Sequence, residues 1–275
     1  MDASGSHFPL PDIPDHLGRH SRSPIKRGIN LRSCELHHPR LTELLDVLAC
    51  TSADIQFYPF PGMSLERIGT LIGVPADRMT FAAGSDALIG VILDALGAAG
   101  GRMILQVPNY YGWSHYAMLR KLALTAIPIG LPNTTGVGFA ELLGAAEKSE
   151  PSLVVVSNPN SPSGHLLMGH ELQHLAHICS RHGHLLVVDE CFAAFAPVNH
   201  FASLGQYDHI VLVRSYSKSL GLAGARIAVS ITSRRIARIL SAYRTESAVS
   251  GPALHLLERL LSRPQELESI WRDIV

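Results

Sequence analysis

The chain has 275 residues, of which 47% are hydrophobic and 17% charged, with 23 basic against 23 acidic side chains. That length can enclose one large core. The balanced charge and the 6% aromatic content leave few groups for neutralising phosphates or stacking bases, which argues against nucleic acid as a partner. Four scattered cysteines, Cys34, Cys50, Cys179 and Cys191, form no CxxC pair and read as reduced thiols. The polar, proline-rich first 28 residues carry no apolar signal-peptide core. No run reaches the ~18 apolar residues that a membrane span needs. These features predict a soluble, cytoplasmic protein that needs no membrane.

In chain order, residues 1–30 read as an arm. Helical spacing follows at 40–50 and 64–73, separated by "DIQFYPFPG", a proline-broken extended connection. From residue 79 onward, β-rich runs at 79–82, 102–107, 124–129, 152–157, 184–189, 209–214 and 226–231 alternate with helical stretches at 85–98, 112–121, 139–148 and 169–182. Runs such as "LVVV" are apolar without interruption, as strands buried on both faces must be. The alternation predicts an α/β fold, a mostly parallel sheet of seven-stranded type with helices on both faces. Beyond residue 233 the chain reads as helix throughout.

Ligands of an open parallel sheet sit beyond the carboxyl ends of its strands. Gly84, Ser85 and Asp86 follow the run at 79–82 and open a helix whose first N–H groups can hold an anion. Tyr110 and Tyr111 follow 102–107, and "NPNSPSG", with Asn160 and Ser161, follows 152–157. Asp189 closes the apolar run "LLVV", where a buried carboxylate needs a cationic partner. Ser215, Ser217 and Lys218 follow 209–214, and Arg226 comes eight residues after the lysine.

An anion cradle, an aromatic face, a buried acid and a lysine are the parts of a pyridoxal phosphate site. The ordered set "YPFPG", "AAGSDALIG", "VPNYYGW", "NPNSPSG", "VVDECFAAF" and "SYSKSLGLAGARIA" resembles the fold-type I aminotransferases, within the branch of histidinol-phosphate aminotransferases and threonine-phosphate decarboxylases. The resemblance implies a pyridoxal 5'-phosphate enzyme acting on an amino acid or small amine. Aminotransfer is the expected reaction, with decarboxylation, other carbanion chemistry or a non-catalytic partner role as alternatives. It implies that Lys218 bonds the cofactor as an aldimine and moves the substrate's α-proton, and that Asp189 keeps the pyridine nitrogen protonated. Gly84, Ser85, Asp86, Ser215, Ser217 and Arg226 would surround the phosphate, and Tyr110 would stack on the ring. Tyr58 would reach the neighbouring subunit's phosphate, which implies a homodimer with shared sites. The domain division expected is an arm and helix over 1–50, a cofactor-binding large domain over 51–235 and a helical remnant of a small domain over 236–275.

The resembling pattern is broken at two cofactor-facing positions. Ser161 stands where the family has asparagine, with Asn160 one step earlier, and Phe192 replaces a frequent tyrosine, as the resembling decarboxylases tend to have it. Fifty-seven residues follow Lys218, so the small domain that would carry a carboxylate-binding arginine is expected to be largely absent, and Arg32, Arg244 and Arg272 are the remaining candidates. A competing motif, H-E-x-x-H at His170, Glu171 and His174 with His177 a turn further, has the spacing of a zinc site. Its place between "NPNSPSG" and Asp189 instead predicts a crossover helix covering the sheet, with no metal.

Overall fold

The computed structural model describes residues 34–48, 50–59, 61–97, 101–129 and 137–274. They build a seven-stranded sheet in the order β1-β7-β6-β5-β4-β2-β3. The strands are β1 (Met79–Ala82), β2 (Arg102–Val107), β3 (Ala123–Pro128), β4 (Leu153–Ser157), β5 (Leu185–Asp189), β6 (Ile210–Ser215) and β7 (Ala228–Thr232). Strand β7 runs against both its neighbours, and the pairings among β2 to β6 are parallel.

Successive side chains of a strand point to opposite faces, so an uninterrupted apolar run feeds two cores. Val154, Val156, Leu186 and Val188 enter one core, and Leu153, Val155 and Val187 enter the other. The first core is closed by α1 (Pro39–Val47), α3 (Pro61–Ile72), α6 (Val137–Lys148), α7 (Gly169–Arg181), α11 (Gly251–Leu261) and α12 (Pro264–Ile274). The second is closed by α4 (Gly84–Ile92), α5 (Tyr111–Leu119) and α10 (Arg234–Tyr243). Helices thus cover both faces, as the strand pattern predicts. Strand β3 lies at the sheet edge and is largely exposed, so the two-sided burial read from the apolar runs does not extend to it.

Two expectations need correction. The segment expected as an extended connection begins with a helix, α2 (Ser52–Gln56), because Thr51 and Asp54 form a reciprocal capping box ahead of the prolines. The C-terminal segment, expected to be helical throughout, is three helices with breaks between them. Ser233 and Ser250 cap α10 and α11, and proline opens α11 and α12 at the first turn, where its missing N–H costs nothing. No helix among the described residues is long and apolar enough to cross a membrane.

Leu186 is fully buried at the centre of the sheet. Leu186→Ala is expected to cost ~2–5 kcal/mol of stability through lost burial and a residual cavity. Met168→Ala, at an exposed position, should change stability by less than ~0.5 kcal/mol. Urea unfolding of the two variants measures both, and a shift below ~1 kcal/mol for Leu186→Ala would contradict the central placement of β5.

Candidate active site

Beyond the carboxyl ends of the strands lies a cleft of ≈ 390 Å³, within the usual range for a small-molecule pocket. Ser85 and Asp86 enter it after β1, Tyr110 and Tyr111 after β2, and Ser157, Pro159 and Ser161 at the end of β4. Asp189, Cys191 and Phe192 enter after β5, and Ser215, Ser217, Lys218 and Arg226 come from the β6–β7 connection. Ten of the thirteen residues expected around the cofactor therefore share one cavity, together with Tyr111. The remaining three do not line it: Gly84, Asn160 and Tyr58.

Gly84 supports the cleft from behind. Its φ of +83° is in the left-handed region, and a Cβ there would stand 2.5 Å from Nη2 of Arg226. Glycine is thus required for its backbone, and a side chain there would also push the Arg226 guanidinium aside. Asn160 is buried and holds its own loop, donating to the Pro108 carbonyl and accepting from Ser163. Tyr58 is 84% exposed and faces away, along a groove between α2, α3 and α11. Arg244 and Arg272 lie outside the cleft, and Arg32 falls outside the described residues.

One end of the cleft suits an anion. Helix α4 starts at Gly84 with no side-chain cap, so its first N–H groups have no side-chain acceptor. Ser217 Oγ is buried and has no hydrogen-bond partner. Arg226 sits at φ +55°, its Nη2 3.2 Å from Asp86 Oδ2. Asp86 also accepts from the Tyr110 hydroxyl at 2.6 Å, so one carboxylate steadies both the ring and the guanidinium. Burial first, then the bond to Asp86, push the Tyr110 phenol well up from its usual range.

The other end suits a cation. Asp189 is buried, accepting from Trp113 Nε1 at 2.9 Å and from the Cys191 N–H at 3.0 Å. Burial still pushes its carboxyl up from the ordinary carboxylate range, against the pull of those donors. A protonated ring nitrogen would offset that cost. The Trp113 contact was illegible in the sequence, because an indole on α5 meets a carboxylate 76 residues away. Cys34 and Glu35, from the chain ahead of α1, also line the cleft, and nothing in the sequence signals them.

The H-E-x-x-H helix is α7. Leu172, Leu175, Ala176, Ile178 and Cys179 bury one side of it, while His170, His174 and His177 are exposed on the other. Glu171 is engaged in capping, accepting from the Met168 N–H at 2.7 Å.

Residues 40–273 match the family model "Aminotransferase class I and II", and the chain belongs to that family. Histidinol-phosphate aminotransferase 1 of Trichormus variabilis is 28% identical over 206 residues, covering 74% of this chain and 56% of the relative. The Thermococcus kodakarensis histidinol-phosphate aminotransferase is 28% identical, over 76% of this chain and 60% of its own. The chain thus spans somewhat over half the length of these relatives. Among solved structures, the Sinorhizobium meliloti histidinol-phosphate aminotransferase in complex with pyridoxal-5'-phosphate superposes with a TM-score of 0.75 at 21% identity, covering 86% of this chain and 64% of that one. The L-threonine-O-3-phosphate decarboxylase of Porphyromonas gingivalis gives 0.74 at 19% identity, covering 88% and 71%.

Removing the indole donor tests the acid end. A group whose folded pKa is raised contributes least to stability once ionised, and Trp113→Phe raises the Asp189 value further. The variant should lose ~1–3 kcal/mol at neutral pH from the missing hydrogen bond to a buried charge. That part of the loss should shrink as pH falls through the raised carboxyl value and Asp189 takes up its proton. Thermal melts from neutral to acidic pH check the sign, and a loss independent of pH would show that the indole only fills space.

Proposed function

We propose that the protein is a pyridoxal 5'-phosphate-dependent aminotransferase acting on an amino acid or small amine, with Lys218 as its catalytic residue. The observation that carries this reading is the pairing, in one cleft, of an anion end and a buried carboxylate, with Lys218 in the same cleft. Family membership and the pyridoxal-5'-phosphate bound to a structural neighbour support it.

The residues present fit the cofactor. Ser215, Ser217, Arg226 and the N–H groups at Gly84, Ser85 and Asp86 would hold its phosphate, with the unpartnered Ser217 hydroxyl as a waiting donor. Asp189 would hold a proton at the pyridine nitrogen, and Tyr110 would cover a ring face. When bound, the group supplies an electron sink for a carbanion at the substrate's α-carbon. Lys218 Nζ, a primary amine, would hold the cofactor covalently in place of its aldehyde oxygen, which leaves as water, and once released would move the α-proton as base and then acid. Phe192 lines the cleft and has no polar side-chain atom, so the cofactor's ring oxygen would gain no hydrogen bond from it, whereas Ser161 brings a hydroxyl into the same cleft. Tyr58, with Phe57 and Met63 also well exposed, would enter the site of a second copy, making a homodimer with shared sites.

Lys218→Ala should bind the cofactor without covalent attachment and show no amino-group transfer, while its circular dichroism stays that of the parent. Borohydride reduction and peptide mapping of the parent should place the cofactor on Lys218. Attachment at Lys121 or Lys148 would overturn the assignment. Arg226→Ala should weaken cofactor binding about ten- to a hundredfold, the loss of one charge-assisted bond. Equilibrium titration of the cofactor measures it, and unchanged affinity would remove Arg226 from the phosphate end.

A further inference from the structure

Next to Asp189, and pointing the other way, lies a second buried carboxylate for which the chemistry above has no use. Glu190 has no exposed side-chain surface. Its Oε1 is 2.7 Å from His200 Nδ1, and its Oε2 is 3.1 Å from Arg214 Nη2. Burial opposes ionisation, but Arg214 and then His200 outweigh it and hold the carboxyl below the ordinary range. The other nitrogen of the His200 ring, Nε2, is 3.0 Å from Asn158 Nδ2.

The orientation of the Asn158 amide is fixed independently of the histidine. Its Oδ1 accepts from the Leu167 N–H at 2.7 Å, and its Nδ2 donates to the Leu167 carbonyl at 2.9 Å. Turning the amide over would set oxygen against oxygen and N–H against N–H. Nδ2 therefore carries its second proton toward His200, whose Nε2 must accept. The ring proton then sits on Nδ1 and is donated to Glu190. This fixes the direction of every hydrogen bond from the carboxylate to the loop.

Asn158 and Leu167 are the two ends of the loop that follows β4. It carries Pro159 and Ser161 into the cleft, and it is drawn together by the Asn160–His165 and Gly164–Asn160 backbone bonds. The opposite end of the relay is the residue directly after Asp189. The relay thus links two walls of the cleft through groups that are each buried.

We infer that His200 is a positioning residue which, as its Nδ1–H tautomer, passes the Glu190 carboxylate on to Asn158 and locks the 158–167 loop in register with Asp189. The functional part of this rests on the cofactor reading above, whereas the tautomer and the lock do not. Two variants separate the relay from simple filling of space. His200→Phe keeps a planar ring but removes both nitrogens. His200→Gln restores one donor toward Glu190 and one acceptor toward Asn158.

In the intact protein, nitrogen-15 shifts should show His200 with a proton on Nδ1 and a bare Nε2, and a proton on Nε2 would overturn the relay. Hydrogen exchange at the Leu167 amide should quicken about tenfold in His200→Phe, the loss of roughly one hydrogen bond, and return to within about threefold in His200→Gln. Equal exchange in both variants would overturn the lock. Titrated with pyridoxal 5'-phosphate, His200→Phe should bind about tenfold more weakly and His200→Gln should recover. Parent-like affinity in His200→Phe would overturn the link between the loop and the site. If the parent protein itself bound no cofactor, the functional reading would fall, while the shifts and the exchange rates would still decide the relay.

Discussion

The structure around the cleft is organised by the cost of keeping Asp189 ionised out of water. An isolated buried carboxylate loses several kcal/mol of solvation, which nearby donors recover only in part. Here the donors come from two directions, the indole of Trp113 on α5 and the Cys191 N–H in the turn after β5. Neither is a full charge, so the carboxyl remains pushed up. A cationic partner supplied by a ligand would restore the balance. The packing of α5 against the sheet and the tight turn after β5 both bear on this one group.

The anion end follows the converse logic. A helix start without a cap, a buried hydroxyl without a partner and a guanidinium held by one carboxylate are groups whose hydrogen-bonding capacity exceeds what the protein uses. Asp86 keeps Arg226 placed, and a phosphate would compete with it for the same N–H groups. Charge of opposite sign at the two ends would orient a ligand that carries both charges along the cleft.

Much of the architecture was legible in the sequence because its strands are uninterrupted apolar runs, and such runs have few other uses. The strand ranges at 79–82 and 102–107 agree with the structure, and the others shift by one or two residues at an end. Most of the cleft residues were legible because they stand at or just after a strand end, while Arg226 and Phe192 were legible through the motifs they belong to. Contacts made at long sequence range were not. Trp113 reads as a core aromatic until Asp189 is placed under it, and Glu190 and His200 read as unrelated until the turn between them closes. Tyr58 is a different case: its expected role lies in another subunit, so a single chain shows only that it faces outward. The short helix α2 was hidden by the prolines after it, since the capping box acts over fewer residues than helical periodicity does.

Strand β7 returns antiparallel to β6, and this has a bearing on how the site is assembled. A parallel partner would have needed a crossover of a dozen or more residues, usually a helix, carrying the chain to the far end of the sheet before the next strand began. The reversed strand instead keeps the whole segment from Ser215 to Arg226 at one end. The lysine and the arginine are thus delivered by a single local hairpin-like unit, with little chain to close between them. Asp189 joins this unit only through the long-range pairing of β5, and Ser85 and Asp86, which complete the anion end, only through that of β1. The lysine–arginine segment is topologically cheap, whereas Asp189, Ser85 and Asp86 depend on completion of the sheet, so the opposed charges that define the cleft meet only when the fold is complete.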